Sequence, residues 1–539
     1  MGGGMMKGKY RRAVGFIWFL AIGGVLLGGG KLQSAEVKPT VIGVVAIDSH
    51  QDLMAQADWL GGIIGMPNLS ALADGALAMA TGGAGLGLLD KDRPLGVVVA
   101  LVDDKPAIHG FIPVANTQAM KTILESPNTQ YPRWISLEIQ DGWVVITPKG
   151  QKVPPPDPLE TLRGITSRYS IGMKVFPSRM PKQMQEQVVS AAVAAEQNGK
   201  DAADDFGKEF PGLLNGRTNA EAIQEGLNQT AAMLIGLTVD IDAETISFEN
   251  RFIAAKGSAA ESVWASAANV KPTIVVPSIQ ADEKRIVYGQ IAQSISKDAS
   301  DIMRESVLGA MTATGDLATA DDKGAAAYKK AVLSIATEFL GAVLETGRLD
   351  ACLTVDSAAS VEGIPLPLVT VGVRVHSGKS LGEKVKSFLE EPRVLNWDVE
   401  ATFDAEERDG FVYHDLVVQN FGCLSIAVAD DQIYMIAGSG TDGHRLALDQ
   451  AKETGFRPIA AIECDPSPLS KIANEIGSGN PMWPPVKIDG EPLINFLMRP
   501  IEGGVASRLR ANGDAIQFLA AVIGEVFILR GDEWLPDQE

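Results

Sequence analysis

The chain has few side chains that could do chemistry, and it scatters them. Five histidines (His50, His109, His376, His414 and His444) are the groups whose ordinary pKa lies nearest neutrality. His109 stands near Asp103 and Asp104, and His414 adjoins Asp415. A histidine beside a carboxylate can serve as a general base, but no nucleophile is spaced to join either pair. Surface partners are therefore expected. Asp240, Asp242 and Glu244 alternate along a strand-like run, which would set three carboxylates on one face, as calcium ligands are set. A calcium loop also needs a glycine at its sharp turn and a closing glutamate. No glycine is placed there and Arg251 holds the closing position, so the run reads as a solvated strand face. Cys352, Cys423 and Cys464 each lie in or beside a strand-like run and read as small buried hydrophobes, with one disulfide and one free thiol as the other arrangement. Three thiols are too few for an all-cysteine zinc site. No catalytic set and no metal site is expected.

Glycines supply the other candidate chemistry. In IYMIAGSGTDGHRLALDQAKETGFRPIAAIE, Gly438-x-Gly440-x-x-Gly443 follows a strand-like run and precedes a helix-like one. A second strand then ends at Glu463, 20 residues after Gly443. This resembles the dinucleotide-binding fingerprint of the Rossmann family. The resemblance implies that Gly438, Gly440 and Gly443 would line a pyrophosphate and Glu463 would hold a ribose hydroxyl. His376-Ser-Gly-Lys-Ser380 resembles the end of a phosphate-binding P-loop. The position of that motif's first glycine is Val373, with Gly372 one residue too early, so a serine helix cap is expected instead. Ser294-x-x-Lys297 fits the S-x-x-K of serine acyl enzymes, but neither S-D-N nor K-T-G follows it.

The elements that would carry these residues fall into two halves that read alike. Val37-Lys38-Pro39-Thr40 recurs as Val270-Lys271-Pro272-Thr273, each followed by an apolar run. Leu137 to Met184 aligns without gaps on Ile426 to Ala473, at a constant offset of 289. The aligned pairs include Asp141/Asp430, Arg168/Arg457, Pro177/Pro466 and Ser178/Ser467. LEIQDGWVVI and IAVADDQIYM both read strand, turn, strand, and FIPVANTQAMKTILES and VRVHSGKSLGEKVKSFLEE both read strand into short helix. Helical patterns are expected over SHQDLMAQADWLGGIIG, NLSALADGALAMA, SKDASDIMRESVLGAM and DDKGAAAYKKAVLSIATEFLGAVLETG, the last with Val332, Ile335, Phe339 and Leu340 on one face. Lys182 to Gln197 is Ala-rich and amphipathic. The next helix opens with the capping box Thr218-x-x-Glu221 and is expected to reach about Gly236. The second half should close on SRLRA, a tight turn at Asn512-Gly513, and AIQFLAAV. Helices set between hairpin-linked strands predict an α+β fold. It would hold two similar modules, 36–269 and 270–539, each a mostly antiparallel sheet with packed helices.

Residues 1–35 read as a signal peptide or N-terminal anchor. Lys7, Lys9, Arg11 and Arg12 precede an uncharged apolar run from Ala13 to Gly30, and small residues follow. The rest of the chain then carries 42 Lys+Arg against 67 Asp+Glu, or −25, compared with −20 for the whole. That balance excludes a nucleic-acid binder, which needs a basic face. With the opening segment, DLMAQADWLGGIIGMPNLSALADGAL and LDKDRPLGVVVALVDD leading into FIPVANTQAMKTIL resemble the uncharacterised exported proteins of planctomycete-type bacteria. The resemblance implies export and an α+β module, and no activity. The expectation is an exported periplasmic or envelope protein, a non-enzymatic module without a cofactor that binds an envelope protein or a small apolar ligand. A nucleotide-dependent enzyme using the Gly438–Gly443 segment is the alternative.

Overall fold

A computed structural model describes residues 39–66, 68–80, 86–125, 134–151, 153–191, 219–277, 285–297, 323–357, 367–390, 399–418, 422–438, 444–446, 458–467 and 493–519, with a few single positions between. Residues 1–35, most of SKDASDIMRESVLGAM, Thr218 of the capping box and the Pro-rich SGNPMWPP lie outside the described residues.

Eight strands come from the first half: β1 (Thr40–Ile47), β2 (Leu95–Val102), β3 (Lys105–Pro113), β4 (Ile135–Gln140), β5 (Trp143–Pro148), β6 (Ile171–Val175), β7 (Thr230–Asp240) and β8 (Thr245–Ala254). They lie side by side as β4-β5-β3-β2-β1-β6-β7-β8. The second half supplies β9 (Arg285–Ser294), β10 (Arg348–Asp356), β11 (Leu368–Arg374), β12 (Val399–Arg408), β13 (Phe411–Val418), β14 (Gly422–Val428), β15 (Gln432–Gly438), β16 (Ala460–Cys464), β17 (Ile494–Ile501) and β18 (Gly504–Asn512). Their order is β12-β13-β14-β15-β11-β10-β9-β16-β17-β18. β8 and β18 pair directly, so all eighteen strands form one sheet. Every pairing among the described strands is antiparallel, as hairpin-linked strands require.

The helices include α1 (His50–Ile63), α2 (Leu69–Ala80), α3 (Thr117–Leu124), α4 (Pro158–Thr166), α5 (Asn219–Gln229), α6 (Ala259–Ala267), α7 (Lys323–Glu345) and α8 (Gly378–Leu389), and residues 182–191 are helical as their Ala-rich pattern leads one to expect. Their starts follow local chemistry. Ser49 caps α1 by accepting from the Asp52 amide at 2.9 Å. Asp157 caps α4 by accepting from Glu160, with Pro158 in the first turn, where its missing N–H costs nothing. α4 drives Leu162 and Ile165, 0% and 1% exposed, into a core with Val44, Ala46, Val98, Phe111 and Trp143. Each such burial contributes roughly 2 kcal/mol. In the second half, Phe339, Ala342 and Val343 of α7 and Leu381 and Val385 of α8 pack over Val373, Ile426, Val428 and Ile433.

Three expectations are corrected. The helix opening near Glu221 stops at Gln229, and β7 begins at Thr230, because TAAMLIGLTV alternates into the sheet as far as Asp240. Val270-Lys-Pro-Thr273 opens no strand. Residues 271–277 instead run over the second half, pinned where the buried Asp350 accepts from the Thr273 amide and hydroxyl at 2.7 Å and the Tyr434 hydroxyl donates to the Val275 carbonyl at 2.8 Å. Asn512-Gly513 is no hairpin turn. Asn512 ends β18, its side chain accepts from the Ala515 amide at 3.0 Å, and 513–519 is helical.

The seam between the halves carries charge. Glu249 on β8 stands opposite Arg508 on β18. Glu249, 3% exposed, accepts from Arg508 at 2.8 and 3.2 Å, from the Tyr169 hydroxyl at 3.0 Å, and from Arg251. The ring of Tyr169 lies over Gly172 and Gly236, and a Cβ on Gly236 would sit 2.2 Å from it. α6 extends past the seam, where Trp264 and Ala267 pack with Ile459, Met498 and Val505 of the second half. In return, the amide of Gly513 donates to the carbonyl of Glu244 at 2.8 Å.

Candidate functional site

Gly438 closes β15, and a Cβ there would lie 2.8 Å from both the His444 ring and Leu368. Gly440 and Gly443 lie outside the described residues. The chain reappears at 444–446 pinned to the sheet. The His444 amide donates to the Ser425 hydroxyl at 2.9 Å, and Ser425 donates to Asp415 at 2.7 Å. The Arg445 guanidinium forks onto both oxygens of Asp415 at 3.0 and 2.9 Å and reaches Glu406 at 2.6 Å, over the ring of Tyr413. The Asp415 bonds are the main reason its pKa is raised, and the guanidinium stays charged. Glu463 is exposed on β16, which is separated from β15 by β11, β10 and β9. At a strand spacing of about 4.8 Å that is roughly 19 Å. The two strands of a dinucleotide-binding unit are close parallel neighbours flanking one helix, and β15 here has only antiparallel partners. The described residues therefore bring Arg445, Asp415, Glu406 and Ser425 together, and leave Gly438 and Glu463 apart.

The remaining motifs resolve into packing and capping. In HSGKS, Ser377 is left-handed (φ 57°) at the N-cap of α8 but caps no amide with its side chain. The Gly378 amide donates to the Asp430 carbonyl at 2.6 Å, and a Cβ there would meet the Ala429 carbonyl at 2.2 Å. That glycine permits close approach to the β14–β15 turn. Nearby, α7 and α8 flank a pocket of about 240 Å³ lined by Glu338, Glu345, His376, Ser380 and Lys384, where Lys384 already pairs with Glu338 at 2.8 Å. Ser294 shares a hydrogen bond with Ser266 of α6 at 3.0 Å. Only Asp240 of the acidic trio lies in a strand, and its carboxylate accepts from the Ala243 amide at 2.9 Å. Among the described residues, no three His, Cys, Asp or Glu side chains cluster as a metal would need.

Neither histidine pair forms as the sequence suggests. His109 points into the sheet, fully buried, with Gln151 at 3.4 Å, and burial pushes its pKa down to about 4. Asp103 and Asp104 lie in the turn before β3. His414 and Asp415 are successive strand residues and face opposite sides. His414 accepts the Asp404 amide on Nδ1 at 3.2 Å, at a bulge in β12 where Asp404 has φ 50°. Burial lowers its pKa against the pull of Asp404. All three cysteines are free, and burial pushes the Cys352 thiol up to about 11.

What periodicity alone did not single out is a cross-strand row. Register pairs join Met435, Val371, Leu353, Gly289, Ile462, Phe496, Leu509, Phe248, Leu237, Ile171 and Ile47, from β15 to β1. Directly paired residues share a face. Met435, Leu353, Ile462, Leu509 and Phe248 are each 39–47% exposed. One residue along the same strands, on the other face, Tyr434, Cys352, Glu249 and Ala46 are buried. The signal was available as alternation with apolar residues at both phases, which a sheet covered on one face does not require.

Comparison with protein-family models, with curated proteins and with solved structures finds no match for this chain.

Proposed function

We propose that this chain is an exported, non-enzymatic interaction module of the cell envelope, built from two duplicated α+β units, and that the exposed apolar row docks a partner protein. The row is the observation that carries the reading. A row with Met435, Leu353, Ile462, Leu509 and Phe248 exposed on an acidic chain costs solubility unless something covers it. The strip is open and sheet-like, which suits a protein surface better than the concave cavity a small ligand needs. The positively charged, apolar opening of residues 1–35 supports export.

Several features support the duplication. An offset of 289 carries β4 and β5 into β14 and β15, and β6 onto β16, residue for residue. The orders β4-β5-β3-β2-β1-β6-β7-β8 and β14-β15-β11-β10-β9-β16-β17-β18 match strand for strand, with β12–β13 as an added hairpin. The VKPT match does not belong to this correspondence, because β9 rather than 271–277 takes the place of β1.

A photo-crosslinking residue placed at Leu509 in the native cell envelope, with a second at exposed Glu463 on the opposite face, tests the surface. The expected result is one protein adduct from position 509, absent from 463 and lost when Ile462 and Phe248 become glutamate in a chain that still melts normally. Equal adducts from both faces, or an adduct indifferent to the glutamates, would overturn the assignment. So would an apolar small molecule, detected as extra mass on the intact chain.

A further inference from the structure

The two halves differ at their outer edges. In the second half, β14 is covered: β13 pairs along its whole length, and β12 covers β13. In the first half the corresponding strand is β4, and among the described residues it pairs with β5 alone. β12 is protected in the ways edge strands usually are, with a bulge and the acids Glu400, Asp404, Glu406 and Glu407. β4 has one acid, Glu138, and a 61%-exposed tryptophan, Trp134, immediately before it. We propose that the β4 edge accepts an extended peptide segment of a partner protein as an added antiparallel strand, with apolar residues at alternate positions and a basic residue between them.

The register follows from the hairpin. Asp141 and Gly142, both at positive φ, form a two-residue turn, which makes Gln140 and Trp143 a hydrogen-bonded pair. Bonded and non-bonded pairs then alternate. Ile139, Leu137 and Ile135 direct their N–H and C=O groups away from β5, and Ile135 is opposite Pro148, which has no N–H to give. Three outward donors and three outward acceptors are thus spaced for an incoming strand.

The side-chain demand is read from β13. It sets Val412 opposite Val428, His414 opposite Ile426 and Leu416 opposite Leu424 on one face, and Tyr413 opposite Ala427 and Asp415 opposite Ser425 on the other. At the 289 offset these β14 residues correspond to Ile139, Leu137, Ile135, Glu138 and Ser136. Leu137 and Ile139 pack with Met120 and Leu124 of α3, so apolar residues of an added strand would extend that layer. Exposed Glu138 replaces Ala427, so the position held by Tyr413 calls for lysine or arginine. This inference rests on the strand correspondence between the halves, and it concerns a different surface from the apolar row.

The test uses the full chain and two synthetic peptides: FVKHDLVV, which is Phe411–Val418 with Tyr413→Lys, and FVEHDLVV with Tyr413→Glu. Trp134 fluorescence should report micromolar binding of the lysine peptide and at least tenfold weaker binding of the glutamate peptide. Hydrogen exchange should slow at the amides of 135, 137 and 139. Leu137→Pro should abolish binding without removing a β4–β5 bond. If that variant folds poorly, Glu138→Lys serves instead and should reverse the preference between the peptides. Leu509→Glu should leave peptide binding at β4 unchanged while it disturbs the apolar row, which separates the two surfaces. No binding of the lysine peptide, or an unchanged preference in Glu138→Lys, would overturn the proposal.

Discussion

The seam between the halves gives the sharpest prediction. Glu249 is the one carboxylate on which Tyr169, Arg251 and Arg508 converge, and it joins the last strand of the first half to the last strand of the second. Burial works against its charge, but the bonds from Arg251, Arg508 and Tyr169 outweigh burial and hold its pKa below the ordinary carboxylate range. The sign follows. A carboxyl whose pKa is depressed on folding contributes stability that is complete above its unfolded value, near 4.3, and is lost as pH falls through the folded value. Urea midpoints should therefore fall below about pH 4.5 more steeply in the wild type than in Glu249→Gln. Arg508 is about half exposed, so solvent screens its share. A double-mutant cycle of Glu249→Gln with Arg508→Ala should give a coupling of roughly 1 kcal/mol. Glu249→Ala should cost more, about 3–5 kcal/mol, because Arg251 and the Tyr169 hydroxyl then lose a buried partner. A coupling indistinguishable from zero, with parallel pH curves for wild type and Glu249→Gln, would refute the claim that charge holds this seam.

Three further outcomes are expected. His109, neutral in the fold with a pKa of about 4, should make stability rise with pH between about 4 and 6.5, because the unfolded chain binds the extra proton there. His109→Leu should flatten that slope, and a His109 imidazole NMR resonance titrating above pH 6 would contradict it. Gly236→Ala should cost about 1–3 kcal/mol by driving a methyl into the Tyr169 ring, read as a lower thermal midpoint with unchanged peptide binding at β4. Cys352 and Cys423 should resist a thiol reagent in the native chain and react only in denaturant, with the half-buried Cys464 reacting first; rapid native labelling of Cys352 would show that its side of the sheet opens.

Much of the fold could be read in the sequence because hairpins are local. LEIQDGWVVI states its own turn, since Asp141 and Gly142 favour positive φ, and the paired strands follow from alternation on either side. The α1 helix was likewise legible in SHQDLMAQADWLGGIIG, whereas α4 with its Asp157 cap was not singled out. Boundaries failed where tertiary burial outweighed local preference: AAMLIG after Gln229 can wind as a helix, but its alternate residues are needed between β6 and β8. The VKPT repeat misled because four letters say nothing about pairing partners. The seam was invisible for the same reason, since Glu249 and Arg508 are 259 residues apart and only the β8–β18 register brings them together. The glycine-rich segment matched a spacing but not a topology. A fingerprint constrains one strand, one turn and one helix, while dinucleotide binding also depends on which strand lies next door.

The β8–β18 pairing makes one continuous sheet of the two halves. β8 ends the first half's order and β18 ends the second's, so each would be a bare edge alone. Their mutual pairing removes both and aligns Phe248 with Leu509, which makes one apolar strip out of two shorter ones. In an exchange that separated the halves, the strip would be cut at its centre and the Glu249 cluster would lose Arg508. Binding along the strip should therefore fail together with the seam. Arg508→Glu, which sets like charges opposite each other on the buried face, should weaken capture at Leu509 even though Arg508 points away from that surface. Peptide binding at β4, eight strands away, should survive the same change.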